Sequence, residues 1–440
     1  MPRERDLAAP GNGRAGRDMV AIGRLHRETI LESQPWEARG MRRGLPDGRD
    51  GREDWFQRRN RMKPFSIFLV AAAGVLWLPM AGSAQAAGNA QQAGAAGGAA
   101  AGEVVEMLPV GAISLDVVVT DKSGEPVADL GAGDFKLLDK KQPQSLVAVR
   151  EADGVSAKAD PATEMILVMD AVNGSLETFN SEQQMLTRFL EENGGELALP
   201  TSIAVLSDQG MSVRPATRDG KALVDFLKSN VPGLRPISTW GWDADMQREQ
   251  LSLKALDFLI AQASKRPGRK LMVWLSPGWR LQTSGQWVAS PKDQQQLFNH
   301  VALLSTAMRV ARVTVYSLDP SGIESTLSFQ GIYEAYLKSV EAPKNVDYGY
   351  LLLQVLATQT GGKAISASSD MASILSKCVD DARAYYVLSF VPPVAAHPNE
   401  YHSIEVEVDK PGLKARTRAG YYASPIAAGR QAVSLEKSGH

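Results

Sequence analysis

The sequence predicts an α/β protein: a doubly wound, mostly parallel, Rossmann-like sheet, with a small antiparallel β module formed by flanking strands. Three observations predict it. Short apolar runs, MILVM at 165–169 and LMVWL at 271–275 among them, alternate with amphipathic helical stretches over about 230 residues. That rhythm specifies parallel strands buried on both faces. Before and after this region apolar residues alternate strictly, which marks half-buried antiparallel strands. Two-stranded hairpins are marginal alone, so the N- and C-terminal strands are expected to pack into one module.

Residues 1–61 hold 14 Arg and no Lys, whereas residues 62–440 hold 15 Arg and 19 Lys. This first segment lacks a sustained apolar period and is expected to be untranslated or disordered. Residues 62–86, MKPFSIFLVAAAGVLWLPMAGSAQA, read as a secretory signal: Lys63, an apolar stretch from Phe65 to Met80, and small residues ending at Ala86. The apolar stretch is short of the roughly 20 residues of a spanning helix. Cleavage is therefore expected, with an uncleaved anchor as the alternative, and the protein is expected to be exported, periplasmic or secreted. Residues 87–103 form a low-complexity linker.

The β module begins with 104–152, where Ile113, Leu115, Val117 and Val119 share a face and DKSGEP supplies a turn. The α/β domain is placed at 161–392. Its elements are the strand EMILVMD, a helix with Phe179, Leu186, Phe189 and Leu190 on one side, and the strand SIAVLSD. The edge strand MSVRPAT, a helix at DGKALVDFLKSN and a long helix at about 244–264 follow. Then come KLMVWLS, a helix capped by Ser290 and Pro291, VTVYSLD, and KAISA after a helix stop at Gly361-Gly362. The C-terminal part of the β module is placed at 393–424, with Lys410-Pro411-Gly412 as its turn, and a disordered tail at 425–440.

A net charge of −1 gives no electrostatic footprint for nucleic acid. The single cysteine, Cys378, rules out an internal disulfide and sits at helical spacing with Ile374, as a small buried hydrophobe does. The His residues of 87–440 are His300, His397, His402 and His440, none at H-x-x-x-H spacing. No G-x-S-x-G elbow, Walker loop or dinucleotide fingerprint is present, so the chain reads as a non-enzyme. Asp208, Asp219 and Asp319 flank strands and read as solvated caps.

Five stretches in order, LDVVVTDKSGEPVADLGAGDF, PGRKLMVWLSPGW, ATQTGGKAISAS, ARAYYVLSFVP and YHSIEVEVDKPGLKARTRAGYY, resemble the von Willebrand factor A-related family of exported bacterial proteins. The likeness covers about 110–423. It implies a von Willebrand A-like domain beside a β module and a binding role. In metal-binding members of that fold, D-x-S-x-S ends the first strand, and a Thr and a second Asp complete an Mg²⁺ site. Carried over, the first Asp is Asp170, but Val172 and Gly174 stand at the serine positions and Pro277 at the second Asp. Thr239 matches the Thr loosely, and Asn173 could lend a carbonyl oxygen. Mg²⁺ demands near-octahedral oxygen, so no resident cofactor is expected, and Asp170 with Thr239 would hold Mg²⁺ or Ca²⁺ if any ion bound. The alternative role for Asp170 is to accept backbone N–H bonds at the start of the next helix.

All five Trp residues of 87–440 lie within 48 positions: Trp240, Trp242, Trp274, Trp279 and Trp287. Trp274 alternates inside a strand and reads as core. The other four define either an aromatic recognition patch at the carboxyl edge of the sheet or rings buried against 281–300. The expected function is an exported binding protein that presents this edge to a protein or envelope partner. A structural subunit of an envelope assembly and a metal-dependent adhesion protein are the alternatives.

Overall fold

The computed structural model describes residues 108–229, 242–279, 290–319, 333–366 and 371–425. The segment 1–61, the signal at 62–86, the linker at 87–103 and the tail from 426 lie outside the described residues.

Strict alternation builds two four-stranded antiparallel sheets. In the first, β1 (Ile113–Thr120) lies between β11 (Tyr385–Phe390) and β13 (Lys414–Arg416), and β4 (Leu146–Ala152) closes the far side of β11. In the second, β12 (Glu400–Val408) lies between β14 (Gly420–Ala423) and β2 (Phe135–Asp139), with β3 (Gln142–Gln144) beyond β2. Leu115, Val117, Val119, Leu388 and Phe390 of the first sheet share one core with Leu137, Ile404, Val406 and Tyr421 of the second. The inner strands thus bury a face against the other sheet, which neither hairpin could do alone.

One boundary differs from expectation. The α/β domain placed at 161–392 included Tyr385–Phe390, yet this segment is an inner strand of the first antiparallel sheet. All six of its residues are buried. A strand covered on both faces loses its alternation and reads like a parallel strand.

The other sheet runs β10-β9-β8-β5-β6-β7. Its strands are β5 (Glu164–Asp170), β6 (Glu196–Ser207), β7 (Gly210–Asp219), β8 (Lys270–Leu275), β9 (Val313–Asp319) and β10 (Ala364–Ser366). All neighbours are parallel except β7, an antiparallel edge on β6. The described helices are α1 (Leu176–Glu191), α2 (Gly220–Ser229), α3 (Trp242–Ala263), α4 (Pro291–Val310), α5 (Leu353–Gln359) and α6 (Met371–Arg383).

One face of the sheet packs against Phe179, Leu186, Leu223, Leu227 and Leu375 of α1, α2 and α6. The opposite face packs against Leu256, Leu259, Phe298, Val301, Leu353 and Leu356 of α3, α4 and α5. Both faces are covered, as a parallel sheet requires. Cys378 sits inside the first of these cores, where burial pushes its thiol up to about 12. Among the described residues, no helix is long and apolar enough to cross a membrane.

The two parts meet through apolar packing, in which Tyr401 of β12 and Tyr422 of β14 join the core of α3, α4 and α5, and through charge. Arg312, between α4 and β9, pairs with Asp116 of β1 at 2.5 Å and with Asp160 at 2.6 Å. Arg416 of β13 pairs with Asp381 of α6 at 2.5 Å.

Candidate functional site

Strand order reverses at β5: the chain steps to β6 on one side and later returns to β8 on the other. Ligands of open α/β sheets bind outside the carboxyl ends of the strands at such a reversal. Asp170 ends β5 at that point.

Asp170 is 1% exposed, and both of its oxygens are occupied. Oδ1 accepts the backbone N–H groups of Val172 and Asn173, each at 3.0 Å. Oδ2 accepts the Asn173 amide at 2.8 Å and the Trp274 indole N–H at 3.0 Å. The Asn173 amide also donates to Ser252 Oγ at 2.8 Å. Each donor replaces a water that an exposed carboxylate would keep, so the buried charge stays solvated by the fold itself. Asp170 thus accepts backbone N–H bonds as expected, but from the turn at Val172 and Asn173 rather than from the start of α1 at Leu176. The N-cap of α1 is a separate residue, Ser175, whose hydroxyl accepts the Thr178 N–H at 3.0 Å.

The residues do not fit Mg²⁺ or Ca²⁺. An ion would have to displace four protein donors from Asp170 and find its other ligands at Val172, Gly174 and Pro277, whose side chains carry no oxygen. Buried Arg248 adds to this, because its Nε donates to the Val172 carbonyl at 3.3 Å and so keeps a cation beside the loop. Asn173 turns its amide nitrogen, not its oxygen, toward Asp170. Among the described residues, no three His, Cys, Asp or Glu side chains converge as a metal cluster. Thr239 lies outside the described residues.

The Trp residues divide. Trp274 is fully buried and core, as expected, but its indole N–H also donates to Asp170. Trp279 is 3% exposed and packs edge-on against Trp274, with centroids 5.0 Å apart, so it is not a surface anchor. Its place in the recognition patch is corrected: beside Trp274 the ring gains more from the core than from solvent. Trp240 and Trp287 lie outside the described residues, and of Trp242 only the backbone, at the start of α3, is described.

A further acid stands beside the crest. Glu182 of α1 is 1% exposed, and neither of its oxygens has a hydrogen-bond partner. Burial, reinforced by the Asp170 and Asp319 carboxylates, pushes its carboxyl well above the ordinary value. Position 182 continues the apolar face of Phe179, Leu186 and Phe189, a spacing from which a buried acid was legible. Asp319 is only 4% exposed and not a solvated cap, whereas Asp219 does cap α2 by accepting the Ala222 N–H.

No protein-family model matches the chain, and no curated protein matches it.

Proposed function

We propose that the chain is an exported, non-enzymatic binding protein whose von Willebrand A-like domain meets a protein or envelope partner without a bridging metal ion. One observation carries this reading: the carboxylate at the strand reversal is consumed by four donors of its own fold. Contact at this edge is then made by side chains alone. The strand order, with its antiparallel edge on β6, and the five sequence stretches support the von Willebrand A likeness. Export rests on the signal read at 62–86.

A photo-crosslinker tests the proposal. It is placed at exposed Ser175 and Ser290, the N-caps of α1 and α4, or at exposed Glu405 and Glu407 of the β module. The reading expects one envelope protein crosslinked from 175 and 290, equally with and without chelator. Crosslinking only from 405 and 407 would favour the structural-subunit reading, and loss with chelator would favour metal-dependent adhesion.

A further inference from the structure

At the junction of the two parts, Arg312 pairs with Asp116 and Asp160, and Arg416 pairs with Asp381. Two other arginines of the same junction have no such partner. Arg418, between β13 and β14, is 8% exposed, and its guanidinium donates to carbonyls alone. Nε donates to Gly420 at 2.9 Å and Nη2 to Ser305 of α4 at 3.2 Å, while Nη1 has no acceptor among the described residues. Arg309 of α4 is partly buried, and its Nε is sealed from solvent with no hydrogen-bond partner. Among the described residues, neither arginine has a carboxylate within ion-pair distance.

Helix geometry puts these two guanidiniums side by side. A helical side chain leans toward the N-terminus and covers the preceding turn. For Arg309 that turn is the one at Ser305, whose carbonyl holds Arg418. Burial and the Arg309 charge together bring Arg418 down to about 9. Asp116, the acid that acts on Arg418, is already held by Arg312 at 2.5 Å. The group that acts on Arg309 is the Tyr421 hydroxyl, itself donated to Asp139. The carboxyl end of α4 supplies about half a negative charge, against two full positive ones. Like charges buried together without a counter-charge are costly, so the pair holds a place for an anion.

The guanidinium fork matches the oxygens of phosphate and carboxylate groups. A carboxylate would leave one of the two charges standing, whereas a phosphate dianion neutralises both. With Arg418 8% exposed, the place admits a small free anion and not a flat membrane surface. We infer that Arg309 and Arg418 form a binding site for a small phosphate-class dianion, which ties α4 to the turn between β13 and β14. The site lies at the end of α4 that leads into β9, opposite the carboxyl edge of the sheet where Asp170 stands.

The test follows thermal unfolding of the full chain near pH 8, where a phosphate group carries about two negative charges. Inorganic phosphate is raised while chloride holds the ionic strength constant. Phosphate is excluded from protein surfaces in general, which gives a linear rise in Tm. The wild type is expected to show a saturating rise on top of it, as binding to one site requires. Arg309→Gln, at a partly exposed position, should keep the linear part and lose the saturating part. Arg309→Lys, which keeps the charge but not the fork, should bind about tenfold more weakly than the wild type. A linear rise alone in the wild type overturns the inference, as does a saturating rise that Arg309→Gln leaves unchanged. Acetate as effective as phosphate overturns the assignment to a dianion.

Discussion

Asp170 is a charged residue that the fold has solvated from within, and its energetics follow from that. Replacing it with Ala strands the Trp274 indole, the Asn173 amide and two backbone N–H groups away from water. Each stranded group costs about 1–3 kcal/mol, so Asp170→Ala is predicted to lose about 3 kcal/mol or more in urea unfolding. Glu182 behaves in the opposite sense. Its folded-state pKa is raised, so its contribution to stability is full below the unfolded value of 4.5 and is lost as pH rises through the folded value. Glu182→Leu is therefore predicted to unfold at higher urea than the wild type near pH 8, and to have a smaller decline in stability from pH 5 to 8. A variant less stable than the wild type near pH 8 would refute this account of Glu182.

At the scale of elements, the turn after α5 depends on two glycines with different jobs. Gly361 takes a φ of +85°, and the Gly362 N–H closes on the Ala357 carbonyl at 2.9 Å, ending the helix. A Cβ on Gly362 would lie 1.8 Å from the Val315 carbonyl oxygen of β9. Gly362→Ala is predicted to cost about 3 kcal/mol or more, whereas Gly133→Ala, with nothing within 4 Å, should change stability by less than about 0.5 kcal/mol. Ser290→Ala should cost about 1 kcal/mol by removing the acceptor of the Asp293 N–H.

These elements were legible because each follows from local pattern: period-two apolarity for β1 and β12, amphipathic spacing for α1, Ser-Pro for the start of α4. Tyr385–Phe390 was not assigned correctly, since burial on both faces erases the signal that separates antiparallel from parallel strands. The site was legible only by halves. Asp170 stands out at the end of an apolar run, but its donor Trp274 is 104 residues away in sequence, and nothing local to either residue marks the pair.

For the molecule as a whole, the α/β sheet and the antiparallel sheets are joined by the buried rings of Tyr401 and Tyr422 and by partly buried ion pairs. Arg312 stands between Asp116 and Asp160, and removing it takes the close counter-charge from both, leaving Asp160 only the longer pair with Arg150 at 3.7 Å. Arg312→Met is predicted to lose about 2 kcal/mol or more. The wild type should unfold in one transition. Trp fluorescence, to which the five Trp residues of 240–287 contribute, should follow the same curve as far-UV circular dichroism.

The binding reading rests on the bond between the Trp274 indole and Asp170, and the indole N–H resonance of Trp274, identified by its loss in Trp274→Phe, reports that bond directly. It is predicted to exchange slowly with solvent and to keep its position when Mg²⁺ or Ca²⁺ is added or chelated. A Trp274 indole that exchanges freely, or that shifts on addition of either ion, would contradict the account.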